Sequence, residues 1–129
     1  MQVLYRGERT AGGCRVYRQE AEDGDGPVLG IFAEGELDAR RDLVNHSPTG
    51  FEWGYAGSGP AQLALAILAD TMHAMLADPE DADRAALGLY QRFKEDWIAR
   101  LDRSRTGTGD DTWIIAQHQV ADWYAQVLP

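Results

Sequence analysis

The chain has almost no cysteine and almost no lysine. Cys14 is the one cysteine among 129 residues, so neither an intrachain disulfide nor a cysteine-based zinc site can form, and a reducing, cytoplasmic setting is expected. The twelve basic residues are eleven arginines and Lys94, set against twenty-one acidic ones, for a formal charge of -9. A charge of that sign repels phosphate backbones and argues against general nucleic-acid binding. It fits an acidic surface for a protein partner, or a nucleic-acid mimic that occupies a basic groove. Long apolar runs are absent too. The longest, Ala64 to Ala77, is broken by Asp70 and His73 and falls short of the roughly twenty residues a bilayer requires. The opening Met1 to Arg6 meets charged sequence before a secretory signal could form. Export and a membrane span are therefore not expected.

What is present resembles an ordinary globular chain, with 44% hydrophobic and 26% charged residues, and the length suits a single domain over 1–129. The first half reads as short extended segments, Gln2 to Arg6 and Cys14 to Gln19, joined through Gly7 to Gly13 as an antiparallel hairpin. The run Glu22-Asp23-Gly24-Asp25-Gly26-Pro27 predicts a tight turn. A calcium loop placed on Gly26 would put Ala21 first and Phe32 last, where carboxylates are needed, so that pattern fails. Val28 to Phe32 reads as a strand, whereas Glu36 to Leu43 fits a helix or an extended segment equally.

From His46 to Pro60 the composition becomes specialised, with four glycines, two prolines and three aromatics. A strand is expected around Phe51 to Tyr55. Pro60 to Ala77 then predicts a buried central helix, with Pro60 in the first position, Gly59 or Ser58 as the cap, and Pro79 ending it. A second helix is predicted from Glu80 to Leu101, with Arg92–Asp96 and Asp96–Arg100 as surface pairs. Residues 103–110 read as a surface loop, and a last helix is expected to begin between Thr112 and Ala116. The fold class is thus α+β: a small N-terminal antiparallel sheet, its strands mainly in 1–56, packed against two or three C-terminal helices, mainly in 60–127.

The run Ser47-Pro48-Thr49-Gly50-Phe51-Glu52-Trp53-Gly54-Tyr55, with Gly57-Ser58-Gly59-Pro60-Ala61-Gln62-Leu63-Ala64-Leu65-Ala66 after it, closely resembles the signature of an uncharacterised family. That family occurs in bacteria, archaea and their phages and is catalogued as a domain of unknown function. Tyr5-Arg6-Gly7, Arg41 to His46, Tyr90 to Lys94 and Trp113 look similar too. The resemblance implies no catalytic residues.

Chemistry must therefore be argued from the residues themselves. Glycines before a helix let backbone amides approach an anion that the helix dipole also favours, so Gly57, Ser58 and Gly59 form a candidate phosphate or carboxylate site, with Glu52, Trp53 and Tyr55 beside it. Neither a complete phosphate-loop nor a dinucleotide-binding sequence accompanies them. The alternative is that these glycines serve close packing while Phe51, Trp53 and Tyr55 anchor the segment. Glu52, between two aromatics, is either a base of raised pKa or a paired structural carboxylate. Ser58 lies outside a nucleophile-elbow pattern, and Asp70 with His73 falls short of a metal set. No cofactor is expected. The function favoured at this level is a non-enzymatic interaction or regulatory protein; the alternative is a small-ligand protein or enzyme using the glycine-rich turn.

Overall fold

The computed structural model describes residues 1–23, 30–101 and 111–128. The predicted turn at residues 22–27, apart from its first two residues, the first half of the Val28 to Phe32 strand and the loop at 103–110 lie outside them. Among the described residues four strands form one antiparallel sheet: β1 (Gln2–Thr10), β2 (Gly13–Ala21), β3 (Ile31–Glu36) and β4 (Asp111–Ala116), in the order β3-β2-β1-β4. The helices are α1 (Ser58–Met75), α2 (Pro79–Asp96) and α3 (Gln117–Val127), with a 3-10 turn at Ile98–Arg100. This is the expected α+β class.

The first hairpin is longer than predicted, because β1 continues through Gly7 to Thr10 and only Ala11 and Gly12 separate the strands. Gly13 takes the left-handed φ of 115° that closes such a turn. Gly7 stays glycine for a different reason: a Cβ there would lie 2.2 Å from the Trp113 indole. Alternation puts Val3, Tyr5, Val16 and Ile115 on the face that meets the helices, and all are buried. Against them lies α1, in which Gly59 to Ala69 are buried without interruption. A helix covered on so many sides is held by its surroundings, not by one apolar stripe.

Several boundaries differ from expectation. The segment Phe51 to Tyr55 is irregular, not a strand, because it is bracketed by Gly50 at φ 124° and Gly54 at φ 85°, conformations that leave the extended region. The first helix begins at Ser58 with Gly57 as its cap, so Pro60 is its third residue; a first-turn amide has no intrahelical acceptor, and proline costs little there. That helix stops at Met75, ahead of Pro79, which instead opens α2 behind the Asp78 cap, whose carboxylate accepts the Glu80 amide at 2.8 Å. Arg92 reaches Asp96 at 3.7 Å. Arg100 does not form the predicted pair; its Nε donates to the Glu95 carbonyl, and Asp96 accepts the Trp123 indole N–H at 2.9 Å. Asp111–Ala116 is a strand where the last helix was expected to start. Its pattern is period two, with Trp113 and Ile115 buried and Thr112 and Ile114 exposed. After β3 the ambiguous residues Leu37 to Leu43 follow an irregular path, with Arg40 at φ 54°.

Candidate functional site

The irregular chain between β3 and α1 needs internal partners for its backbone, and one side chain supplies four of them. Gln62, fully buried in α1, accepts the amides of His46 and Ser47 at 2.8 and 3.2 Å through Oε1. Its Nε2 donates to the carbonyls of Ala39 and Val44 at 2.6 and 3.0 Å. Ser47 Oγ donates to the Gly50 carbonyl at 2.6 Å, and the Gly54 amide reaches the Ile98 carbonyl at 3.0 Å. Trp53 is fully buried and meets Trp113 edge-on, ring centroids 5.4 Å apart at 87°. The specialised stretch is thus first a means of shaping a loop against α1.

What remains on the surface of that loop forms one wall of a cleft of about 460 Å³, whose opposite wall is the end of the β1–β2 hairpin. Arg9, Cys14, Thr49, Glu52, Tyr55 and Ser58 are among its lining. Arg9 Nη2 donates to Glu52 Oε1 at 2.6 Å, and its guanidinium lies 5.0 Å from the Trp53 ring centroid. Glu52 Oε1 also accepts the Trp53 amide at 3.2 Å. The carboxylate is therefore paired with Arg9. Burial, and then the Glu52 charge, push the Cys14 thiol above its ordinary pKa, which holds it in the protonated, weakly nucleophilic form.

The glycines owe their identity to close approach. A Cβ on Gly59 would stand 2.6 Å from the Glu52 Cβ, and one on Gly57 would stand 2.5 Å from the Tyr55 ring. Gly57 itself is extended at φ -160°, so space and not backbone conformation excludes a side chain there. The first turn of α1 carries no acidic residue, and its cap makes no side-chain hydrogen bond. Its two leading amides, from Ser58 and Gly59, belong to residues that line the cleft.

Of the six candidate residues, Glu52, Tyr55, Ser58 and Gly59 line the cleft, whereas Trp53 lies in the core behind it and Gly57 backs the Tyr55 ring. Arg9 and Cys14 escaped sequence reasoning because they come from a hairpin distant in the chain. Gln62 left a signal, a polar side chain within the apolar early turns of α1.

Asp70 and His73, the helical pair noted in the sequence, each have other partners. Asp70 accepts Arg18 Nε at 2.9 and 3.1 Å and the Tyr5 hydroxyl at 2.7 Å, while His73 Nε2 faces Asp83 at 2.7 Å. Among the described residues no group of three or more His, Cys, Asp and Glu side chains is placed to hold a metal ion. His46 bonds through its ring to the Tyr90 hydroxyl, while Ser47 Oγ donates to the Gly50 carbonyl. Among the described residues no helix is long and apolar enough to cross a membrane.

Comparison with known proteins gives no match among curated proteins and none among solved structures. A family model does match, over residues 5–126, so the loop, the cleft just described and all of the described strands but the first three residues of β1 fall within it. The chain belongs to DUF6166, a family of unknown function.

Proposed function

We propose that this protein is a non-enzymatic binding protein whose cleft at the start of α1 takes a small molecule bearing a carboxylate or phosphate. The observation that carries this reading is the meeting of the α1 first turn, free of acidic residues, with the Arg9–Glu52 pair in one polar cleft. The Arg9 charge offsets that of Glu52, and the positive end of the helix dipole then favours an anion. Binding is favoured over turnover because Glu52 is tied to Arg9 and the Cys14 thiol is held protonated.

A thermal-shift series with phosphate, nucleotides, acyl-phosphates and dicarboxylates tests the reading. A ligand at one hundred times its dissociation constant adds about 2.7 kcal/mol of stability. Ser58→Glu places a carboxylate in the first turn, which stabilises the helix by about 0.3–1 kcal/mol while competing with an anion. The expected outcome is a protein slightly more heat-stable than the parent and deaf to the ligand. The absence of a shift across the series overturns the reading.

A second reading, an interaction or regulatory protein that binds another protein, is favoured by a different feature: the exposed outer strand β3.

A further inference from the structure

We propose that the edge of β3, which pairs with no further strand among the described residues, is a docking site for an extended, basic segment of another protein, which adds to the sheet as one more strand. This rests on the second reading above and is independent of the cleft. β3 ends the strand order and all six of its residues are exposed. The Leu37 amide donates to the Val16 carbonyl at 3.0 Å. Alternation from that bond turns the backbone groups of Gly35 and Ala33 towards β2 and those of Glu34 and Glu36 outwards. The outward row is the template on which an extended chain, and not a helix, can form hydrogen bonds.

Side chains on the strand then select the sequence of that chain. Ile31 and Phe32 are 36% and 58% exposed, two consecutive large apolar residues at one end of the strand. Towards the other end, Glu34 and Glu36 are held from inside the sheet: Gln19 and Arg6 face Glu34, and Arg15 faces Glu36 at 2.9 Å. Their side chains nevertheless remain 40% and 67% exposed. An incoming strand with an apolar residue against Ile31 and Phe32 and lysine or arginine beside Glu34 and Glu36 complements both ends. A second copy does not, since each carries a charge of -9 and would set its own β3 carboxylates near those of its neighbour.

The test uses the full, nitrogen-15-labelled chain and two capped seven-residue probes, one alternating valine with lysine and one alternating valine with glutamate. Amide hydrogen exchange is followed residue by residue. The lysine peptide is expected to slow exchange at Glu34 and Glu36 about tenfold, and the glutamate peptide to leave it unchanged. Glu34→Pro removes an outward amide without touching the backbone bonds to β2 and is expected to abolish the effect. Glu34→Ala keeps the amide and is expected to retain protection, at higher peptide concentration. Exchange in β1 reports whether each variant is folded. The proposal is overturned by no protection at millimolar peptide, by equal protection from both peptides, by protection at β4 or around the cleft instead, or by β3 protection that tracks protein concentration without peptide. A ligand response of the cleft, measured separately by thermal shift, is unaffected by any of these outcomes.

Discussion

At the scale of single residues, Gln62 shows how one side chain can set the course of a loop. It satisfies two donors and two acceptors of the 39–47 backbone from inside a helix. Gln62→Leu fits the volume but leaves those four groups without partners in a dry interior, at about 1–3 kcal/mol each before relaxation. We expect a loss of about 3 kcal/mol or more in urea unfolding, with amide exchange at His46 and Ser47 accelerated ahead of that in α1. A loss below about 1 kcal/mol would mean that the loop is held by other contacts. Sequence reasoning reached part of this picture. Trp53 as an anchor and glycines reserved for close packing follow from residue chemistry, because those properties belong to the residues themselves. The Arg9–Glu52 pair spans 43 positions, and a contact of that separation leaves no local trace in composition or period.

Elements come next, and here the legible features were the periodic ones. The α1 and α2 helices follow from their apolar spacing, whereas Thr112 to Ala116 reads as the start of the last helix, because α3 begins at the end of the Asp111–Ala116 strand without an intervening turn residue. The chain passes from Ala116 to Gln117 directly, with Gln119 Oε1 accepting the Ala116 amide at 2.9 Å in place of a conventional cap. Between elements, Arg40 holds the irregular loop to the helices. Its guanidinium donates to Asp42 through two nitrogens and to Asp83 of α2 at 3.1 Å, and Asp83 also faces His73 of α1. The hydrogen bond from His73, assisted by the Arg40 charge, lowers the Asp83 pKa below its ordinary value. A depressed carboxylate stabilises the fold above its unfolded pKa, and that contribution is lost as pH falls through the folded one. We therefore expect Asp83→Asn to be less stable than the parent at pH 7 and to lose less stability between about pH 5 and pH 3. Urea midpoints taken across that range are the measurement. Parallel pH curves for the two proteins would show that the bridge does not report on acid stability.

For the whole molecule, the decisive feature is the place of β4 beside β1. It brings Trp113 over Gly7 and against Trp53, and it leads into α3, whose Val120 and Trp123 are buried in the same core as α1. Nothing local in residues 111–116 announces that neighbour, since pairing partners are chosen by the surface already built. A chain ending at residue 110 lacks β4 and α3 and leaves that core open. We expect it to show no cooperative thermal transition by circular dichroism; a sharp transition would mean that the hairpin and the first two helices fold alone.

The same arrangement governs the order of events on the ribosome. Of the described strands, β1, an inner strand of the sheet, is made before the others, and its neighbour β4 is the last to leave the exit tunnel. Until then one side of β1 has no mate, and Gly7 offers a bare strip of backbone with no indole to cover it. Between the synthesis of β1 and that of β4 the nascent chain therefore carries an incomplete sheet, with that strip of backbone open to whatever meets it.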